Sequence, residues 1–570
     1  MPSPTSRAPS PEEPINTPHN PPQDHRARPT PHPTEIAAPA RAYCTYKKGF
    51  TVWPGASNPC FAVGDTTGVM EVTWVLLAAL VATLVYYAWV LLRPRHAGLN
   101  IPPFPGPKRF LTGHLHLWGS QPNLNVLHEC RKKAGDIFSL DLAGKLLVVV
   151  SGYDNIKEVM VNHWNEAGNR PIHIMHKLLG EENLGIVFAR SDNWKAQRAT
   201  AITILRSLGM GKNVMAERIG EEVDVFVNKL ASYNCKPVDI RNPLNVSVSN
   251  IICSMIVGKR FDYDDPYFVE LLNNLDSFFT KRPHFIVMNF FNFLRYLPFD
   301  IFGIKAWMKY PYALRDNFSV PHINEKKKTF NTDDIPGTFI TGYLQKMKQE
   351  NKGSFVAKYL DEENLATTLR ELFIAGSETT STTIYWCVLI CLHYPEVQEK
   401  VFQEITTHVG RDRLPNLSDK PNLKYFDAVI KETQRFAALV SAVPREVTAD
   451  FELKGYTIPK GSMLMVHFAS ALQDAKPWGD PDKFRPERFM DADGNLIKDP
   501  QEFIPFGLGK RFCLGEALAK MELFLCLSAM FQRFRFETED PSGKLPPMKG
   551  NFLTVFVPEA YKVKFMPRPA

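Results

Sequence analysis

The chain has 570 residues, 44% of them apolar, and 67 basic against 60 acidic side chains give it a formal charge of +7. That apolar content is ample for a large buried core, and so mild a charge gives no case for a nucleic-acid partner, while a membrane surface or an acidic protein fits it as well. Nine irregularly spaced cysteines, with no C-x-x-C pair and no H-E-x-x-H, give no disulfide framework and no support for zinc.

Residues 1 to about 42 are dominated by proline, with Ser, Thr, Ala and scattered charge. Such a segment buries too little apolar surface to order itself, and residues 1–70 are expected to form a disordered extension. Val72 to Leu92 then runs without a charge (VTWVLLAALVATLVYYAWVLL). A helix of about 20 apolar residues spans a bilayer core, so residues 71–93 are expected to be a transmembrane anchor. Trp74, Tyr86, Tyr87 and Trp89 suit the interfaces, and Arg93 and Arg95 follow at once, with Lys108 and Arg109 beyond. Positive charge on the C-terminal side puts the body of the protein in the cytoplasm. A cleaved signal peptide would have a shorter apolar region preceded by basic residues. Ile101 to Pro107 (IPPFPGP) is stiffened by its prolines within a hinge over residues 94–108. Residues 109–570 form the main domain.

Ile137 to Ser151 reads as a β-hairpin turning at Ala143-Gly144-Lys145. From about Asp154 helical patterns dominate. Trp194 and Arg198, at i and i+4, share one helix face. Residues 265–330 are mixed, and Phe290 to Phe302 is very aromatic, as a buried helix pair would be. Glu363 to Tyr394 is the longest helical pattern, with an apolar stripe of Leu365, Leu369, Leu372 and Phe373. Its centre, Ala375-Gly-Ser-Glu-Thr-Thr-Ser-Thr-Thr383, is rich in mediocre helix formers. Thr379 is placed to turn its hydroxyl to the carbonyl of Ala375 and bend the helix. That opens a groove, although a core helix with a polar seam explains the pattern as well. Pro395 to Gly410 is a further helix, and Glu432 with Arg435 forms E-x-x-R on one face of the next. Val443-Pro-Arg445 follows, Gly455 to Gly461 reads as a β-turn region, and Phe552 to Phe565 is strand-rich.

Phe506-Gly-Leu-Gly-Lys-Arg-Phe-Cys-Leu-Gly515 sets one cysteine between glycines, with a helical pattern following at once. Glycine lets backbone approach a ligand closely. A cysteine at the mouth of a helix lies near the positive end of its dipole, which favours the thiolate and suits axial ligation of iron. The stretch fits F-x-x-G-x-R-x-C-x-G and resembles the haem loop of the haem-thiolate monooxygenases, the cytochrome P450 family. A-G-x-E-T at Ala375–Thr379, W-x-x-x-R, E-x-x-R and P-E-R-F at Pro486–Phe489 occur in that family's order. The resemblance covers about residues 71–570. The stretches AGSETTSTT, HYPEVQEKV and DAVIKETQRF are most similar to the animal microsomal family 2 branch.

The resemblance implies a mainly α fold with small β-sheets, a large helical domain enclosing haem, and an N-terminal transmembrane helix. It implies haem b with Cys513 as the metal ligand, and Arg511, Trp194, Arg198 and Arg445 on the propionates. Phe506 and Gly509 complete the cofactor loop. Glu378 and Thr379 become the catalytic acid–alcohol pair that delivers protons. Arg488 of P-E-R-F joins Glu432 and Arg435. Phe290 to Phe302 becomes part of a region that roofs the pocket and dips into the membrane. The implied reaction is hydroxylation or epoxidation of a lipophilic small molecule, whether xenobiotic, fatty acid, steroid or other lipid. Electrons come from NADPH through NADPH–cytochrome P450 reductase, with cytochrome b5 as a further partner. Lys195, Lys510 and Lys520 are candidates for the docking face. Phe373, Ala375, residues near Val440–Val443 and residues near Leu553 are expected to line the pocket. The implied location is the endoplasmic reticulum membrane, single-pass, with the catalytic domain facing the cytoplasm, so that the sequons at Asn245, Asn317 and Asn416 stay unglycosylated. Microsomal members begin shortly before their anchor, which makes Met70 the expected functional start and residues 1–69 an alternative or mis-assigned extension. Two other readings remain. A haem-thiolate isomerase or dehydratase needs no reductase and often lacks the acid–threonine pair, and a non-enzymatic haem sensor or carrier needs neither reductase nor proton relay.

Overall fold

The computed structural model describes residues 66–92, 96, 98–109, 112–118, 124–280, 289, 298–552 and 555–568. The proline-rich residues 1–65, Arg93 and Arg95, residues 290–297 of the aromatic stretch, and Leu553 lie outside them. The chain divides into two compact units, Met1–Val75 and Leu76–Ala570. One helix, Thr66–Leu92, crosses that boundary. Its side chains from Glu71 to Tyr86 are exposed, among them Val72, Trp74, Leu76, Leu80 and Leu84, as is Trp89. Among the described residues, however, no helix is long and apolar enough to cross a membrane.

The second unit is mainly helical with small sheets. The expected hairpin forms from β1 (Ile137–Leu142) and β2 (Lys145–Val150), paired antiparallel. Its two turn residues, Ala143 and Gly144, both have positive φ, the geometry that matches strand twist in a two-residue turn. Further strands are β3 (Val443–Glu446), β4 (Phe451–Leu453), β5 (Tyr456–Ile458) and β6 (Met463–Val466). They are followed by β7 (Phe534–Thr538), β8 (Gly550–Phe552), β9 (Phe556–Pro558) and β10 (Val563–Pro567). The largest sheet has the order β1-β2-β6-β3, in which β2 and β6 run parallel. The expected β-turn region is the β4–β5 hairpin.

The long helix expected from Glu363 to Tyr394 spans Glu362–His393, capped by Asp361, whose carboxylate accepts the Asn364 N–H at 2.7 Å. It is buried almost throughout because the helices Arg241–Ile256, Lys424–Ala437 and Glu516–Arg533 pack around it. Gly376 is what lets the first of these come close: a Cβ there would stand 2.5 Å from Ile252 Cδ1. The glycine therefore has a packing reason, and the helix continues through it without a break. Phe373 is fully buried against Phe318, with ring centroids 4.4 Å apart, so it belongs to the core and not to a pocket wall as expected. Ala375, two residues on, is exposed. Val440, Ala442 and Val443 are half-buried.

The E-x-x-R pair is locked as expected. Arg435 donates through Nε and Nη2 to the two oxygens of Glu432 at 2.7 and 2.8 Å, and Arg488 Nε reaches the same carboxylate at 3.2 Å. Glu432 and Arg435 have no exposed surface. A buried charge is tolerated only when paired and hydrogen-bonded, and Arg435 spends further donors on the Leu472 and Pro481 carbonyls.

Candidate functional site

The cysteine loop is shaped by its glycines. Gly507 and Gly509 both take positive φ, and a Cβ on Gly509 would lie 2.2 Å from the Met160 carbonyl oxygen. Only glycine fits that approach, which seats the loop on the turn ending at Asn162. The Cys513 N–H donates to the Phe506 carbonyl at 2.9 Å, closing the loop, and the Glu516–Arg533 helix begins three residues later.

Among the described free cysteines Cys513 is exposed, Cys235 is half-buried, and Cys130, Cys253, Cys387, Cys391 and Cys526 are buried. Cys513 is open on one side yet crowded by protein on the others. That crowding raises its thiol above the ordinary value; Glu516 adds to the rise, while the Gly515 N–H and the Arg198 guanidinium oppose it. The loop N–H thus pulls toward the thiolate, as expected at a helix mouth, and desolvation outweighs it. A coordinating cation reverses that balance by deprotonating the thiol outright.

Beside this loop the fold gathers guanidinium groups. Arg445, on β3, is 1% exposed, and its Nε and Nη1 have no partner. Arg511 lies over the Trp194 ring at 4.5 Å and donates to the Val187 and Ala189 carbonyls at 3.3 and 2.5 Å, while its Nε has no partner. Arg170 donates to the Pro444 carbonyl at 3.1 Å and also leaves Nε unpaired. Arg198 donates to the Phe512 carbonyl at 2.9 Å and stacks on the Phe512 ring at 4.8 Å. Trp194 is buried against Trp164, centroids 5.0 Å apart. Burial and mutual repulsion lower these arginines: Arg511 to about 9, Arg170, through burial, to about 10, and Arg445 well below its usual value. The carboxylate felt by Arg170 and Arg511 is Glu371 of the long helix. One of its oxygens, Oε2, already accepts the Ile186 and Val187 N–H groups at 2.6 and 2.9 Å. Burial lifts Glu371 to about 7, against those N–H bonds.

The sequence reading thus named Arg198, Arg445, Arg511 and Trp194 but missed Arg170 and Glu371. No spacing marks Arg170. Glu371 was detectable only as a carboxylate set in the apolar stripe of a buried helix.

Thr379 donates to the Ala375 carbonyl at 2.8 Å, the bond anticipated from its spacing. Glu378 does not bond to it. Successive helix residues face different ways, and Glu378 Oε1 instead meets Arg241 Nη2 at 3.3 Å and the Thr382 hydroxyl at 3.4 Å. Its Oε2 is buried without a partner, and burial raises the group to about 7 against the pull of Arg241. Of the expected docking lysines, Lys195 pairs with Asp192 at 2.9 Å and Lys520 with Glu516 at 2.7 Å, while Lys510 lies 5.5 Å over the Trp164 ring.

A family model for cytochrome P450 matches residues 102–565. The chain belongs to the cytochrome P450 family. It is 38% identical to cytochrome P450 2J3 of Rattus norvegicus over 77% of this chain and 86% of that one. It is 36% identical to cytochrome P450 2H2 of Gallus gallus over 82% and 94%, and 33% identical to cytochrome P450 2D6 of Homo sapiens over 86% and 98%. These relatives are microsomal family 2 enzymes, and the chain is a haem-dependent P450 monooxygenase of that type. The P450 family uses haem b with electrons from a reductase. The residues here fit that group. Haem b brings two carboxylates, and Arg170, Arg445 and Arg511 hold four unpaired, buried guanidinium nitrogens for them, beside an open thiol for the iron.

Proposed function

We propose that this P450 hydroxylates or epoxidises a lipophilic small molecule at the endoplasmic reticulum membrane, using NADPH electrons passed by a reductase, with cytochrome b5 as a second donor. The observation that carries the reading is the buried set of unpaired arginine donors next to the open Cys513 thiol. A buried guanidinium without a counter-charge is costly, so the arrangement asks for a dianionic ligand that also presents a metal to sulfur. When bound, haem supplies dioxygen cleavage and oxygen transfer, which a thiolate ligand favours. Cys513 holds the iron from the loop side. Arg170, Arg445 and Arg511 hold the propionates, with Trp194 packed beneath Arg511. Arg198, stacked on Phe512, keeps positive charge near the sulfur. Thr379 and Glu378 supply protons from the long helix, and exposed Ala375 leaves room for the substrate there.

The membrane part of the proposal rests on the uncharged run Val72–Leu92, long enough in sequence to span a bilayer, whose side chains from Val72 to Tyr86 are exposed. A second contact is Phe299 and Ile301, 94% and 67% exposed, on a turn that Asp300 fixes by accepting the Ile304 and Ala306 N–H groups. The test is reconstitution of the haem-loaded protein with reductase, NADPH and a panel of lipophilic ligands that shift the haem Soret band. NADPH-dependent oxygenated product supports the reading. Turnover of a lipid peroxide without NADPH would favour the isomerase alternative.

A further inference from the structure

Glu371 sits in a nest of backbone between the long helix and the arginines. Its Oε2 accepts the Ile186 and Val187 N–H groups, and the same stretch offers the Val187 and Ala189 carbonyls to Arg511. Gly185 takes positive φ, and a Cβ there would stand 2.3 Å from that oxygen, so only glycine lets the chain wrap the carboxylate. The stretch is tied down on its N-terminal side: the Gly185 N–H donates to Asn364 Oδ1 at 3.2 Å, and Arg370 Nη1 donates to Glu181 Oε1 at 2.9 Å. Glu371 is thus a buried carboxylate whose described hydrogen bonds come from two amides and from no cation.

We propose that Glu371 takes up a proton from solvent when haem binds, so that loading of the cofactor is coupled to protonation of a carboxyl on the long helix. Glu371 is then a positioning residue, acting through the stretch that holds Arg511. The inference rests on the arginines receiving the propionates, as read above.

Burial lifts Glu371 to about 7; the two N–H groups and Arg370 hold it down, and Glu181 adds to the rise. Arg170 and Arg511 each feel the Glu371 charge and favour its ionised form in return. The Arg370–Glu181 pair is closed on itself and keeps its contribution when haem arrives. Other groups on the neighbouring elements are engaged or uncharged. Arg190 pairs with Glu446, Arg198 donates to the Phe512 carbonyl, and burial keeps His176 neutral, at about 3. Arg170, Arg445 and Arg511 differ: each has buried nitrogen without a partner, and among the described residues no carboxylate pairs with them. Two propionates placed there cancel the positive field and add a negative one, which disfavours a further charged carboxylate. The value of about 7 already contains the pull of the arginines, so losing that pull acts in one direction, upward. A rise of one unit moves the protonated share at pH 7 from about half to about nine-tenths. A group that gains a proton on binding makes binding weaken as pH rises between its two values.

Haem partition between the full chain and an apo-globin acceptor, followed from pH 6 to 9, tests this in wild type and Glu371→Gln. Glutamine still accepts the two N–H groups but does not titrate. Cys513 gives up its thiol proton in both proteins, so the ratio of their haem affinities isolates Glu371. That ratio, wild type over variant, is expected to fall about tenfold from pH 6 to 9 for a one-unit rise. A merely structural role would change the affinity of the variant equally at every pH, and a flat or rising ratio overturns the proposal. The dimethyl ester of haem b, whose propionates carry no charge, supplies a second arm. With the ester the ratio is expected to stay flat; the same tenfold fall would overturn the electrostatic cause. Wild type alone gives a further check. In weak buffer at pH 7.5, haem is expected to draw about half a proton more from solution than its ester does, and equal uptake overturns the proposal whether or not the variant folds. An ester retained by wild type as tightly as haem at pH 6 refutes the arginine seat and the proposal with it, whereas a flat ratio beside a weakly held ester refutes the proposal alone. Neither readout involves NADPH or product, so both stand apart from the monooxygenase reading.

Discussion

At the scale of single residues, the sulfur and the guanidinium groups decide what this protein can hold. Cys513→Ser removes the thiolate, and the carbon-monoxide difference band of a ferrous thiolate haem is expected to vanish; its survival would assign the iron to another cysteine. Arg445 gives a sharper test, because its charge is a burden without a ligand and an asset with one. Arg445→Met should leave the haem-free protein at least as heat-stable as wild type. It should also weaken haem retention roughly 10- to 100-fold, since a hydrogen bond to a charged group contributes about 1.5–3 kcal/mol. Haem transfer to an apo-globin acceptor measures the second effect and differential scanning the first. A loss of stability in both forms would make Arg445 a structural arginine. The motif residues Arg511, Arg198 and Cys513 were legible because local spacing carries them. Arg170 and Glu371 were not, because each owes its role to groups far away in sequence: Arg170 through the Pro444 carbonyl, and Glu371 through the Ile186 and Val187 N–H groups. Lone polar residues of that kind acquire meaning only once the fold brings them together.

At the scale of elements, the long helix Glu362–His393 organises the interior, and the carboxylates on or against it share one electrostatic condition. Glu371 and Glu378 are lifted to about 7, and Glu522, bonded to Thr380, to about 8, by burial in each case. For Glu522 the sign works out as follows. Below its ordinary 4.5 the carboxyl is protonated in both folded and unfolded chains; from there to about 8 the unfolded chain ionises while the folded one keeps its proton. Stability is therefore lost as pH rises through that window, by roughly 1 kcal/mol per pH unit for each such group. Glu522→Gln is expected to flatten the decline of the melting temperature between pH 5 and 8, and parallel curves for variant and wild type would remove Glu522 from the account. Packing yields a second expectation. Gly376→Val drives methyl groups into Ile252 and is expected to destabilise by about 1–3 kcal/mol. Adding Ile252→Ala should recover part of that loss, whereas strictly additive effects in denaturant unfolding would show that the two helices do not meet there. The sequence pattern placed this helix to within one residue at each end, because its cap and the following proline are local signals. It misassigned Phe373 and gave no packing role to Gly376, because apolar periodicity tells that a face is buried but not what lies against it.

At the scale of the whole molecule, the uncharged run Val72–Leu92 decides the membrane question. Leu80→Lys together with Leu84→Lys adds roughly 2.5–3.5 kcal/mol per charge to insertion in a bilayer. The double variant is expected to be extracted from membranes by alkaline carbonate while wild type stays; equal extraction of both would leave the helix out of the membrane. Sidedness can be read from Asn317 and Asn416, which are exposed, whereas Asn245 is buried in a helix and uninformative. Glycan on either exposed site would place the catalytic body in the lumen. The crowded arginines carry a last consequence, for supply in the cell. A ligand that binds only the folded chain stabilises it in proportion to the logarithm of its free concentration, and chains left with uncompensated charge at their centre populate open states that proteases clear. The steady amount of this enzyme should therefore follow the availability of haem, falling when the cell runs short of iron or porphyrin even while its message is still translated.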